Sequence, residues 1–481
     1  MNESLEAPPV PSPSAAPPRD AGGFWSSVRE ALRGSQRDFT EGPIGRAIFL
    51  LAVPMVLETA LESVFAIEDV FFVAKLGPDA VAAVGITESI MTIVYAVAIG
   101  LSMAATATVA RRTGEKNPEA ASIAAVQVIA LGAAIALALG IVGALFAPRL
   151  LVLLGASPGV VAIGSGYARW MLAGNATVFL LYLINAVFRG AGDGTIAMRM
   201  LWIGNTINIA LDPCLIFGLG PFPEMGVTGA AVGNNVGRGI AVLLQLVALA
   251  RGRRRIAVRR QHLRLDPPVM AGIVRLSGSA ILQVLIGTAS WLGLIRILTG
   301  FGSAAVAGYT IGIRIVIFAL LPSWGLSNAG ATMVGQNLGA GKPERAERSV
   351  WIAAFYNMLF LGAVGLIFAL AARPIVRLFT ADPAVMALGA DALRIISYGF
   401  VFYAYGMVLE QAFNGAGDTW TPAKINFCVF WLFEIPLAWL LARNAGLGPR
   451  GVFVAITIAF SSLAVVSAIL FRRGRWKEKR V

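Results

Sequence analysis

Three carboxylates, Glu58, Glu62 and Asp69, fall within one apolar stretch near the start of the 481-residue chain. At 100° per residue on a helix they lie within about 40° of one another, in a single narrow stripe. A second apolar stretch carries Asn205, Asn208 and Asp212, also on one helical face, and a third carries Asn234. Acids and amides gathered in apolar surroundings have a definite chemistry. Their oxygens can hold a proton or a Na⁺ ion, and a bound cation relieves the repulsion between two carboxylates.

The composition says which elements must position these groups. The chain is 57% hydrophobic and 14% charged, against about 45–50% and about 25% in soluble domains. A soluble fold of this size cannot hide so much apolar surface, which excludes a cytosolic enzyme. Only Cys214, Cys428 and a single histidine, His262, are present. These exclude a disulfide framework, a Cys- or His-based metal site and a buried imidazole relay. The net charge of +13 is spread over short loops between apolar runs. That is membrane topology, and no nucleic-acid partner is expected.

Twelve runs are long enough for the roughly 20 residues that cross a bilayer: 47–74, 80–110, 119–147, 158–187, 197–218, 226–250, 269–298, 302–335, 346–371, 383–413, 421–443 and 450–472. Lys and Arg collect on alternate sides, with Arg111, Arg112, Lys116, Arg189, Arg199, the 251–264 cluster, Lys342, Arg345, Arg348 and the C-terminal tail on one side. By the positive-inside rule this side is cytoplasmic, both termini lie there, and the protein sits in the inner (plasma) membrane. Residues 1–22 read as a Pro-rich disordered tail. Phe24, Trp25, Val28 and Leu32 repeat at helical spacing among arginines, predicting an amphipathic helix on the cytoplasmic face. The basic linker would contact anionic lipid.

One offset recurs between the halves. Gly100-Leu101-Ser102 matches Gly325-Leu326-Ser327 (325 − 100 = 225), and Phe188, Gly190, Ala191, Gly192 and Asp193 match Phe413, Gly415, Ala416, Gly417 and Asp418 at the same spacing. Six helices per repeat give two halves of like orientation, the plan of a transporter with two lobes around a central site. The fold expected is an all-α membrane protein with twelve transmembrane helices in two pseudo-symmetric six-helix lobes. Its divisions are a tail and amphipathic helix (1–45), an N-terminal lobe (46–250), a linker (251–268), a C-terminal lobe (269–472) and a basic tail (473–481).

Residues that break the repeat are the better candidates for function. The mates of Asp69 and Asp212 are Leu294 and Leu437, so the acidic site belongs to the N-terminal half only. Depth along the helices places Asp69, Asn208, Asp212 and Asn234 at similar levels in the outer part of the membrane, where they can converge on a cation. Glu58 and Glu62 sit nearer the cavity floor and could contact a cationic substrate. Glu88, Arg314, Glu410 and Glu434 could also line the cavity, and Gln283 and Trp291 could bond or stack on a substrate. Asp391 and Arg394, three apart, suit a structural ion pair. Pro54 and Pro213 interrupt backbone bonding next to the acids and serve as candidate hinges, and Pro322 is a comparable breaker. There is no GxxxxGK[ST] loop, no HExxH and no Ser/His/Asp set, so the energy would come from an ion gradient.

The stretches Leu51–Met55, Glu68–Gly77, Ala80–Gly85, Arg189–Asp193, Asn208–Pro213, Gly226–Ala231, Val334–Ala340 and Asn414–Asp418 resemble the multidrug and toxic compound extrusion (MATE) family. The resemblance runs over about residues 46–472, in order in both halves. It implies an antiporter that expels organic cations in exchange for H⁺ or Na⁺, with no cofactor. It also implies an N-lobe cation site at Asp69, Asn208, Asp212 and Asn234, the last replacing a family Thr. Family members with a C-lobe cation site carry acids where this chain has Gly287, near Gln283, and Tyr403, with Glu410 further along. The expected partners are small organic cations and membrane lipids, with the protein a monomer. The alternative is a flippase for lipid-linked saccharides, which would line its cavity with Arg; Arg314 and Arg296 are the only candidates. A non-transporting sensor is a third reading.

Overall fold

The twelve spans begin where the local sequence tells a helix to begin. In the computed structural model, seven start with proline in the first turn, where the missing N–H costs nothing: α3 (Pro78–Gly114), α4 (Pro118–Leu153), α5 (Pro158–Ala173), α9 (Pro267–Leu298), α11 (Pro343–Arg377), α12 (Pro383–Ser397) and α16 (Pro449–Arg472). Asn117, Ser157, Asp266 and Asp382 cap four of them by accepting a hydrogen bond from a backbone N–H of the first turn. Gly77 (φ 101°) and Gly302 (φ 94°), one repeat apart, turn the chain into α3 and α10 (Ser303–Gly339) in a conformation that favours glycine.

The structure describes residues 24–35, 37–252 and 255–480, without the side chains of residues 24 and 64–70. The tail expected at 1–22 lies outside the described residues. The remaining helices are α1 (Phe24–Arg33), α2 (Ile44–Ala74), α6 (Asn175–Gly190), α7 (Gly194–Phe217), α8 (Val227–Arg251) and α13 (Phe400–Ala416). The span Trp420–Asn444 carries α14 (Trp420–Asn426) and α15 (Ile435–Trp439), continued by π-helical stretches. Among the described residues, eleven helices are long and apolar enough to cross a membrane, or twelve when α12 and α13, bent by 60°, count as one span. α5 and α6 break at Gly174, and α12 and α13 at Gly399, again one repeat apart (399 − 174 = 225). α2 and α7 run through Pro54 and Pro213 as single helices. Inside α11, Ala371 departs from helical geometry (φ −111°, ψ 19°), three residues before Pro374.

The halves meet through α2 on α10 and through α3 on α9 and α10. Glycines allow the contact: a Cβ on Gly114 would run into the Gln336 backbone, and one on Gly339 into the Arg111 backbone. These two are repeat mates, as are Gly100, set against Ile281, and Gly325, set against Met55. The first helix of each half also crosses over. Ile48 of α2 is buried in a core built mainly from the second half, and its mate Ile273 of α9 is buried in the core of the first.

The basic end of the molecule is ordered by the segments expected to be simple tail and linker. Glu30 holds Arg37 (2.7 Å) and Arg46 (2.9 Å). Backbone carbonyls of Phe39, Thr40, Glu41 and Gly42 accept bonds from Lys342 and Arg345 of the second half, while those of Ala31 and Leu32 accept from Thr195 and Arg199 of the first. Trp476 in the C-terminal tail is fully buried against Phe471 (ring centroids 4.5 Å apart), and Arg111 donates to the Lys479 carbonyl. The linker docks on α4 through Gln127, which bonds both Arg264 and Asp266, and Arg255 lies over the Phe39 ring at 4.4 Å. The side chains that hold the N-terminal segment bond carbonyls at the end of α1 and in the turn after it, where the backbone acceptors have no intrahelical partner.

Candidate functional site

The polar groups of α7 and α8 come together because small residues let the two helices approach. A Cβ on Gly204 or Gly237 would strike the backbone of the other helix, and one on Gly233 would strike the Asp212 Oδ1 atom. Across this seam Asn208 (2% exposed), Asp212 (0%) and Asn234 (1%) are buried. Asn208 Nδ2 donates to Asp212 Oδ1 at 3.0 Å, and the Asn208 Oδ1 atom is buried without a hydrogen bond among the described residues. α2 packs on α7. Asp69 lies on α2, but its side chain is outside the described residues. Asn208 and Asp212 are thus bonded on α7, and Asn234 is buried on α8 next to Gly233, the residue set against Asp212; together they can present carboxylate and amide oxygens to a small cation.

Glu58 and Glu62 are deeper in the first half and line a chamber of about 100 Å³ with Tyr182, Asn185, Arg189, Trp324 and Gln411. Glu58 accepts from Arg189 Nη1 at 2.8 Å and from Asn185 Nδ2 at 2.9 Å. Gln245 donates in turn to Asn185, so a chain of bonds from α8 fixes the acid. The Tyr182 hydroxyl donates to Glu62 at 3.5 Å, and the charge of Arg238 also acts on Glu62. Arg189 therefore differs from its sequence reading. It is not a cytoplasmic loop charge but one side of a buried ion pair, because it sits on the last turn of α6 facing Glu58.

In the second half a larger cavity of about 280 Å³ contains Gln283, Trp291, Tyr403 and Glu410, together with Trp324, Asn426, Phe430 and Phe460. Four of the proposed substrate residues are thus brought together there. Glu434 is buried (1% exposed) in the π-helical stretch and lines neither chamber. Glu88 and Arg314 are exposed and also line neither. The buried positions near them are Thr87, Met91 and Val94 on α3 and Gly312, Ile315 and Val316 on α10, so both charged residues lie off the packed faces. The expected Asp391–Arg394 pair does not form. Asp391 binds Arg450 at 2.7 Å, and Arg394 donates to the Ala369 carbonyl at 3.1 Å, because α12 packs between α11 and α16 and each side chain finds a partner on a different neighbour.

The sequence reading did not single out Asn185, Tyr182, Gln245 and Asn426. Asn185 had a signal, since Glu58 and Asn185 are the repeat mates of Gln283 and Glu410 (283 − 58 = 225; 410 − 185 = 225).

The MatE family model matches residues 54–214 and 278–440, one copy in each half. The chain is 27% identical over 445 residues to the probable multidrug resistance protein NorM of Thermotoga maritima, covering 91% of this chain and 94% of that one. It is 26% identical over 434 residues to the FAD transporter of Shewanella oneidensis, covering 90% and 95%. A crystal structure of MATE in complex with MaL6 superposes with a TM-score of 0.85 at 25% identity, over 94% of this chain and 99% of that one. With its family model matched once in each half and twelve spans in the corresponding fold, this chain belongs to the MatE family and is a multi-pass membrane transporter.

Proposed function

We propose that the protein exports small organic cations from the cytoplasm in exchange for H⁺ or Na⁺, the two lobes exposing a central site alternately to either side of the inner membrane. The observation that carries this reading is the buried Asn208–Asp212–Asn234 cluster in the first half. Its repeat mates, Phe433, Leu437 and Ala459, leave the second half without it. A carboxylate held with amides inside a membrane lobe is an expensive arrangement, and a coupling cation that binds there and leaves gives a reason for it. The names of relatives as multidrug resistance proteins support the substrate class, and the anchoring of the N-terminal segment at the basic end suits cytoplasmic termini. In this reading residues 46–250 and 269–472 move as the two lobes, Pro54 and Pro213 allow the bending, and the unit is a monomer.

Efflux of a fluorescent lipophilic cation from proteoliposomes tests this, first under an imposed pH gradient and then under a Na⁺ gradient. Export driven by one gradient, and lost in Asp212→Asn, is the expected result. A second reading is carriage of a flavin nucleotide, favoured by the FAD transporter among the relatives and by Arg189 lining the first chamber. Glu58 already neutralises Arg189, so the cation reading is preferred. Gradient-driven uptake of FAD without cation export would reverse that choice.

A further inference from the structure

The two halves place an acid and an amide at equivalent positions, but in exchanged order. In the first half the acid is Glu58 on α2 and the amide is Asn185 on α6, bonded at 2.9 Å. In the second half the same two places hold the amide Gln283 on α9 and the acid Glu410 on α13, and both line the larger cavity. The exchange has an electrostatic consequence. Glu58 is neutralised by Arg189, whereas the mate of Arg189 is Asn414 (414 − 189 = 225), and no Lys or Arg lines the second cavity. A buried carboxylate without a positive partner leaves room for one to be supplied from outside.

We propose that this second-half cavity binds the transported organic cation itself, with Glu410 as its counter-charge and the rings of Trp291, Trp324, Tyr403 and Phe460 as its walls. This rests on the export reading given above and adds the place where the substrate binds. Three oxygens remain for it: Glu410 Oε1, Gln283 Oε1 and Asn426 Oδ1 are all buried without a hydrogen-bond partner. Gln283 and Asn426 are each 6% exposed, and both line the cavity. Asn426 and Glu410 line the same cavity, so the amide and the carboxylate can face one ligand. Aromatic faces attract a desolvated cation through the ring quadrupole, and they accept bulky apolar substituents without demanding a fixed shape. Size separates the two chambers: about 280 Å³ here admits a small organic molecule, whereas about 100 Å³ beside Glu58 does not. Substrate and coupling ion then occupy opposite lobes, and the coupling between them passes through lobe movement rather than through competition for one carboxylate.

The test uses the full-length protein in detergent, with no gradient, and two probes of nearly equal size and opposite charge, tetraphenylphosphonium and tetraphenylborate. Equilibrium dialysis should show binding of the phosphonium in preference to the borate. Glu410→Gln should bind the phosphonium at least ten-fold more weakly and lose the preference between the probes, and Glu410→Asp should recover part of both. Trp291→Ala should weaken both probes and keep the preference, while Asp391→Asn, paired with Arg450 outside the cavity, should bind as the unaltered protein does. Size-exclusion profiles establish that each variant is folded, and Trp291→Ala with Gln283→Leu decides the matter should Glu410→Gln aggregate. Unaltered phosphonium binding in folded Glu410→Gln, or in Trp291→Ala and Gln283→Leu, overturns this assignment and leaves the export reading standing. Failure of the unaltered protein to bind the phosphonium, or a preference for the borate, defeats both.

Discussion

Ile48 and Ile273 occupy equivalent positions in the two halves, and each is buried in the apolar core of the opposite half. The first helix of each lobe is therefore anchored across the molecular midline at its basic end. Lobes joined in this way cannot simply slide apart. In the proposed exchange of access they would pivot near the crossing, where glycines bring the backbones together.

That crossing should respond to bulk. A valine at Gly114 would collide with the Gln336 backbone, and one at Gly339 with the Arg111 backbone. Overpacking of this kind costs ~1–3 kcal/mol. Gly114→Val is expected to lower the melting temperature in detergent and to lengthen the distance between spin labels placed on the basic ends of α3 and α10. An unchanged label distance would show that the seam absorbs the valine by local repacking without opening.

The ion pair of Glu58 and Arg189 should be strongly asymmetric under mutation. Removing Arg189 alone leaves a buried carboxylate without its cation, at a cost of about 3–5 kcal/mol. Replacing both by neutral groups, in Glu58→Gln with Arg189→Met, should restore much of the loss. Thermal unfolding of the two singles and the double gives the coupling directly. Equal destabilisation by the double and by Arg189→Met alone would mean that Arg189 acts through packing instead.

Asp212→Asn preserves the shape of the Asn208–Asp212 contact and removes its charge. Gradient-driven efflux should fall to the level of protein-free liposomes, while Asp391→Asn exports normally. Efflux within two-fold of normal in folded Asp212→Asn would remove the cluster from the coupling mechanism.

The N-terminal segment should release at low pH. Burial works to raise the Glu30 carboxyl, but bonds from Arg37, Ser35 and Arg46 outweigh it and hold the group below the usual glutamate range. Asp38 is lowered in the same way, with burial outweighed by Thr40 and Lys116. A carboxyl depressed on folding contributes stability that is complete above its unfolded pKa and is lost as pH falls through its folded value. Limited proteolysis between residues 30 and 43 should therefore stay slow down through the ordinary carboxylate range and accelerate only below it. Glu30→Gln should be cut faster at neutral pH and show a smaller change on acidification. Cleavage that speeds up while the pH is still near neutral would point to another group.

Much of the architecture was legible in the chain because membrane helices advertise themselves. With no water to satisfy backbone groups, each span must be a long apolar helix, and proline and capping residues mark its start. The repeat offset of 225 residues carried the two-lobe plan, and helical periodicity put Asn208 and Asp212 on one face, where they bond, while depth along the helices brought in Asn234. Periodicity describes one helix at a time, however. It assigned Arg189 to a loop, paired Asp391 with Arg394, and turned Glu88 and Arg314 toward the cavity, because each assignment depended on which neighbouring helix lay opposite.

By itself, then, the sequence determined the number of spans, their boundaries to within about six residues, the twofold repeat and the restriction of Asp69 and Asp212 to the first half, since all of these follow from local hydrophobicity and from comparison along one chain. Only the tertiary structure decided that Arg189 reaches Glu58, that Gln283 and Glu410 share a chamber, and that the basic ends are laced by backbone carbonyls. Those outcomes depend on how glycines let helices approach and on which buried polar atom finds a partner first, and a linear pattern does not contain that information.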